Sequence, residues 1–307
     1  MTTTTTTTTS LTYAERTLTA GGMDAGMLAG LTLQRDEIRA ARRAYASFRC
    51  VHGYAGGARI LTTPDAQPKL GKSERYALGL MLTPARTMAV DILRVTDVTA
   101  RPVNACPRAS AGCTAACLAT AGHGQFDSTQ RARQIRHAFV LQHPHAAGVI
   151  IGAEIRAAAD KYGHDGVTFR FNVLTDYRVE FIIPGALAML EDLGVRVYDY
   201  TAWRPEDRKP VHGYSLTYSA KESAHTSDAY LSGILTAGHN VAMPMAVRKS
   251  DALPETYTLD GQAFRVIDGD LTDDRTTDPR GACGVIVGLR PKGRAGAADA
   301  SGFIRAV

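Results

Sequence analysis

Short apolar or β-branched runs alternate with longer helical patterns along most of this chain. The runs cover 76–82 (YALGLML), 167–174 (VTFRFNVL), 195–201 (VRVYDYT), 214–219 (YSLTYS), 240–247 (NVAMPMAV), 264–268 (FRVID) and 284–289 (GVIVGL). Between them a 3.6-residue period predicts helices over 128–141, 146–162, 184–193 and 221–237. The third opens on Pro184, at a first-turn position where a missing N–H costs nothing. Strands that alternate with helices wind into parallel sheets. A repeat of roughly twenty to thirty residues fits a TIM-like (β/α) barrel, complete or partial, better than a small sandwich, and an open doubly wound sheet is the other arrangement to expect.

The amino-terminal region departs from this rhythm. Residues 1–12 are dominated by a threonine run that cannot build a core and read as a disordered arm. Residues 13–68 read as a helical lead-in, broken at Gly21-Gly22 and Gly30, with Leu28, Leu31 and Ile38 docking on the body. That leaves 69–307 for the barrel-like catalytic domain, with a cysteine-rich loop at 104–124. No G-x-G-x-x-G follows a strand and opens a helix, so a dinucleotide fold is not indicated. The segment KLGKS, with Lys69 and Lys72, superficially resembles a phosphate loop but lacks the upstream glycine.

At 307 residues with 45% hydrophobic content, the chain is long enough to bury a full core. No stretch has the length of apolar sequence that spans a bilayer, and the first residues lack a basic, then apolar, secretory start. Five cysteines, three of them bunched, argue for reduced thiols or metal ligands and against a secreted disulfide framework, so a cytoplasmic location and no membrane partner are expected. The net charge of +5 favours a polyanionic partner without requiring one. Basic residues gather at 35–49, at 131–137 and around Arg290, Lys292 and Arg294, where neighbouring glycines allow close approach to phosphates.

Two groups of residues suggest chemistry. Cys106, Cys113 and Cys117 have C-x6-C-x3-C spacing, and the small residues and turns between them let three thiolates converge on a metal centre. His123 is a candidate fourth ligand for zinc, whereas an iron–sulfur cluster on three cysteines would leave one iron open for a substrate or a sulfonium cofactor. Cysteines of this kind also pack as small buried hydrophobes. The second group lies at the strand ends, where α/β folds place their working groups. Asp176, Asp199, Asp268 and Asp270 are candidate nucleophiles or acid–base groups, although Asp176 can equally cap a following helix and Asp270 can hold a turn. Asn172, Tyr200 and Tyr218, with Lys69, Lys72 and Lys292, are candidates for binding a base and its phosphates.

The segments KLGKS, CPRASAGCTAACLATAG, RQIRHAF, FNVLTD, VYDYT, YSLTYS, VIDGD and GLRPKG together resemble an actinobacteriophage family known as the gene product eighty-eight domain, over roughly 69–294. That resemblance implies a phage protein working in the host cytoplasm and little more. A looser, architectural likeness runs to the transglycosylases that exchange guanine for a deazaguanine in nucleic acid, although their zinc cysteines are more tightly spaced. Another runs to radical barrel proteins, whose C-x3-C-x2-C signature also differs from this spacing. The expected function is therefore a phage DNA base-modifying enzyme acting at an N-glycosidic bond, with DNA as partner, a small-molecule base as a possible co-substrate, and zinc. An iron–sulfur radical-type enzyme and a non-enzymatic DNA-binding protein are the alternatives.

Overall fold

The computed structural model describes residues 10–67, 70–84, 103–292 and 299–307; most of the threonine arm, Lys69 and Arg294 lie outside the described residues. Among the described residues eight strands form one sheet: β1 (Tyr76–Gly79), β2 (Val167–Arg170), β3 (Arg196–Thr201), β4 (Tyr214–Ser219), β5 (Asn240–Pro244), β6 (Thr256–Leu259), β7 (Gln262–Asp268) and β8 (Ile286–Leu289). Their spatial order is β1-β2-β3-β4-β5-β8-β7-β6, and every pairing is parallel except β6 with β7. The expected barrel does not form. The sheet stays open, with β1 at one edge and β6 at the other. Its far edge is the β6–β7 hairpin, turned by Asp260 and Gly261, both with positive φ as a tight two-residue hairpin loop requires. An antiparallel strand at that edge ends the parallel pairing among the described residues.

Alternation along the strands separates two chemically different faces. Phe169, Val197, Val241 and Ile286 point to one face and are buried against the helical layer. Thr168, Arg170, Tyr198, Tyr200 and Thr217, in register across β2, β3 and β4, point to the other. The segment 270–278, which follows β7, lies against this polar face. Asp273 accepts hydrogen bonds from Arg170 Nη1 at 2.9 Å and from the Tyr198 hydroxyl at 3.3 Å. Asp274 pairs with Arg75 at 3.0 Å, and Lys72 donates to the Asp270 carbonyl at 2.6 Å. Charged side chains thus bridge the end of β7 to the β1–β3 side, where backbone pairing is missing.

The lead-in folds as α1 (Tyr13–Ala20), α2 (Met23–Leu31) and α3 (Arg35–Val51) and shares one hydrophobic core with β1–β4. Gly30 lies in the last turn of α2, which ends at Leu31, so the expected interruption follows directly after it, but the glycine serves packing rather than the break itself. A Cβ there would stand 2.3 Å from the Val149 carbonyl oxygen, and one at Gly26 would stand 2.1 Å from that of His145. Both glycines instead admit the backbone of a later helix, Pro144–Tyr162, whose own Gly148 and Gly152 face α2 in the same way.

The remaining α-helices among the described residues are α4 (Ala111–Ala115), α5 (Asp127–Gln142), α6 (Pro144–Tyr162), α7 (Val179–Ile182), α8 (Pro184–Asp192) and α9 (Asp228–Thr236). The helix expected over 221–237 begins only at α9. Thr226 Oγ1 takes the Lys221 N–H at 2.8 Å to close a turn, and Ser227 then caps the helix proper. Among the described residues, no helix is long and apolar enough to cross a membrane.

Candidate active site

A cavity of about 300 Å³, a size that suits a small molecule, opens at the carboxyl ends of the parallel strands. Cys106, Cys113 and Cys117 all line it, together with Leu174, Thr175 and Asp176 from the turn after β2 and Tyr200 and Ala202 from the end of β3. Leu289, Arg290 and Lys292 beyond β8, and Phe303 and Ile304 of the carboxyl-terminal strap, complete the wall.

The cysteine loop is held from several sides. Ser110 caps α4 by accepting the Cys113 N–H, and the Gly112 N–H donates to Glu222 Oε1 at 2.6 Å. A Cβ on Gly112 would stand 2.4 Å from Ser301 Oγ and 2.6 Å from Phe303 Cβ, so only glycine lets the strap close on this helix. Lys221 Nζ donates to the Arg108 and Ala202 carbonyls, both at 3.2 Å, and so ties the loop to β3. Cys106 Sγ lies 3.4 Å from the Leu174 carbonyl oxygen. Burial, reinforced by Cys117, Asp176 and Glu222, pushes the Cys113 thiol up to about 12, with Lys221 opposing.

The four strand-end carboxylates have different fates. Asp176 lines the cavity. Its Oδ2 accepts the Ala202 N–H at 2.9 Å, and its Oδ1 stands 3.7 Å from Arg208 Nη1. Burial raises its pKa to about 6 although Arg208 pulls the other way. Asp199 does not reach the cavity. It is fully buried and accepts the Asn172 N–H at 2.7 Å, Asn172 Nδ2 at 3.1 Å and the Tyr214 hydroxyl at 3.0 Å, which makes it a brace between β2, β3 and β4. Burial pushes this carboxyl up to about 7 against the pull of Arg170. Asp268 and Asp270 also lie outside the lining. Arg290 Nη1 donates to both Asp268 oxygens at 2.8 and 2.9 Å, and Lys292 pairs with Asp270 at 2.9 Å. Burial would raise Asp270, but the Arg290 N–H and the Lys292 contact outweigh it and hold this carboxyl below the usual range.

The expected binding residues divide as well. Tyr200 and Asn172 line the cavity, and Tyr200 lies over the Arg170 guanidinium at 4.8 Å. Asn172 spends its side chain on the turn, accepting from Thr175 Oγ1 and the Tyr177 N–H and donating to the Tyr177 carbonyl. Lys292 is at the rim, whereas Lys72 is engaged with Asp270 and Lys69 lies outside the described residues. Tyr218 is buried among the residues under β5 and rests against His239, away from the cavity. His123 is exposed beside Phe126 and is not part of the lining.

Sequence reasoning missed the buried charges beneath the site. Arg208 forks onto Glu180 at 2.6 and 2.8 Å and donates to Thr201 Oγ1 at 2.8 Å and to the Tyr214 oxygen at 3.1 Å. From this cage Arg208 faces the Asp176 carboxylate, while the Asp176 backbone is held by the Ala105 carbonyl and the Trp203 indole N–H. Arg178 and Glu15, Arg170 and Asp273 form two further buried pairs. No local pattern marks such pairs, because the partners are far apart in sequence.

A family model described as Gene product 88 matches residues 62–306, from just before β1 to the last turn of the chain. The chain belongs to the Gene product 88 family. The match takes in every strand, the three cysteines and the whole cavity lining of this Gene product 88 member, and it begins after α3. No curated protein and no solved structure matches the chain, so the likeness to deazaguanine transglycosylases gains nothing from the comparisons.

Proposed function

We propose that this Gene product 88 member is an iron–sulfur enzyme of reductive or radical type that acts on a small molecule in the cavity below its cysteine loop. One observation carries the reading: all three clustered cysteines converge on a single cavity at the carboxyl ends of parallel strands. Among the described residues, no three His, Cys, Asp or Glu side chains are gathered as they would be on one metal ion. A cubane cluster asks for a wider set, since each thiolate binds a different iron, and three thiolates leave one iron open. Bound there, such a cluster would supply single electrons, drawn from an external reductant, to a substrate in the cavity.

The protein's own groups do the rest. Lys221 and Glu222 fix the loop against β3, and the strap at Phe303 covers it. Leu174, Ala202, Pro244 and Leu289 keep water from a reactive intermediate, while Arg170 and Tyr200 form a rigid polar floor. Purification without oxygen tests the reading. Brown protein with iron and sulfide, lost together in Cys113→Ala, is the expected result. Colourless protein with stoichiometric zinc and no capacity to take up iron and sulfide would overturn it and make the loop a structural zinc site.

A second reading, base exchange or removal at an N-glycosidic bond in DNA, is favoured by Asp176. It is the strand-end carboxylate that lines the cavity, and burial has moved its pKa to about 6, close to the range where a carboxyl can serve as acid or base near neutrality. Mass spectrometry of nucleosides after incubation with duplex and single-stranded DNA checks it. Altered nucleosides with wild-type protein and none with Asp176→Asn are expected; unchanged nucleosides with every donor base dismiss it.

A further inference from the structure

The helix α3 carries a second surface that the cavity chemistry does not use. Residues 35–59 hold six arginines against Asp36 and Glu37, a surplus of four positive charges in a chain whose net charge is +5. The packing of α3 explains where that charge points. Ala41, Tyr45 and Phe48 are buried, with Tyr45 and Phe48 against Phe139 of α5 at ring distances of 4.7 and 5.5 Å. Arg35, Arg39, Arg42 and Arg43 are all exposed. At 3.6 residues per turn these four fall within about 100° of one another on the helix and span about 12 Å along it.

Their charge is little compensated. Arg39 touches Asp36 at 3.5 Å, a pair exposed on both sides and therefore weak. Glu37 is engaged by His145. Glu154, which attracts Arg42 and Arg59, is half-buried and accepts hydrogen bonds from the Ile60 and Leu61 N–H groups. Among the described residues, Arg35, Arg42 and Arg43 make no ion pair. Arg49 is different, since it is turned back over the Tyr45 ring.

We propose that this face of α3 docks on the phosphate backbone of duplex DNA. A row of guanidinium groups carried on one helix face is complementary to a regular row of phosphates, and arginine binds phosphate oxygens with two parallel donors where lysine offers a point charge. Such contacts position a protein on the duplex without reading sequence. The proposal is independent of the reaction in the cavity, and it lies outside the stretch that the family model matches.

Fluorescence anisotropy with a short labelled duplex tests it, using the full chain and the variant Arg39→Glu/Arg42→Glu/Arg43→Glu. All three positions are exposed, and an unchanged melting curve confirms folding. Each lost phosphate contact lowers the log–log salt slope by about 0.9, so the triple variant is expected to lose about 3 units of slope between about 50 and 200 mM salt, with at least a tenfold fall in affinity. Arg248→Glu/Lys249→Glu, exposed on the opposite half of the sheet, should leave the slope unchanged. Absence of duplex binding at the low-salt end, an equal slope in the triple variant, or preference for single-stranded RNA or for phosphatidylserine vesicles over the duplex would overturn the proposal.

Discussion

His137 sits behind the cavity wall with its ring fully buried, and its Nε2 lies 2.7 Å from the Tyr177 hydroxyl. Burial depresses its pKa from 6.5 to about 4. Because the folded state refuses a proton that the unfolded state accepts, His137 contributes full stability above about pH 6.5 and loses it as the pH falls toward 4. The loss over that window is about 3 kcal/mol, and urea unfolding at the two ends should show it. In His137→Gln the difference should shrink by most of that amount; an equal pH dependence in both proteins would assign the acid sensitivity elsewhere. Glu15 carries the same pH dependence, although here it is the charged form that the fold favours. Burial would raise its carboxyl, but Arg178, which donates from N, Nε and Nη2, holds it below the usual range. Its contribution is present above the ordinary carboxylate pKa and disappears as the pH falls through the lowered value. Glu15→Gln should cost about 3 kcal/mol, measurable by urea unfolding at neutral pH, since it leaves a buried guanidinium without its counter-charge.

The pair of helices α2 and α6 meets backbone to backbone through Gly26, Gly30, Gly148 and Gly152. Gly30→Ala would drive a methyl group into the Val149 carbonyl, and the expected cost is about 2 kcal/mol of overpacking despite alanine's better helix propensity. A stabilised variant in thermal unfolding would show that the helices can part freely. A glycine reads locally as a helix breaker, and α2 does end at Leu31, but the close packing at Gly30 is a property of two distant segments that the local pattern does not show. The parallel strands were legible because their alternation is local, and Tyr214–Ser219 matches to the residue. The β6–β7 hairpin was missed although Asp260-Gly261 is a strong turn signal, because Thr256–Leu259 is short and mostly polar. At the site, the cysteines and Asp176 stood out by spacing and strand-end position. Asp199 looked identical in sequence, and only its burial under Tyr214 separates a brace from a cavity group.

As a whole, the molecule joins an open sheet to a charged bridge. Asp273→Asn would leave Arg170 buried with half its compensation, and a loss of about 3 kcal/mol is expected by urea unfolding. If stability is unchanged, the polar face of the sheet is wetter than its burial suggests. The strand order carries a further consequence. β8 is made after β6 and β7 yet lies between β5 and β7, and among the described strands β7 has no other parallel neighbour. During synthesis the β6–β7 hairpin has no backbone pairing to β5 until β8 is made, and only the charged contacts of 270–278 can hold it to the rest of the sheet. A frameshift before β8 would therefore do more than trim this protein: it would remove the strand that joins β5 to β7 and leave both without a parallel partner at that seam.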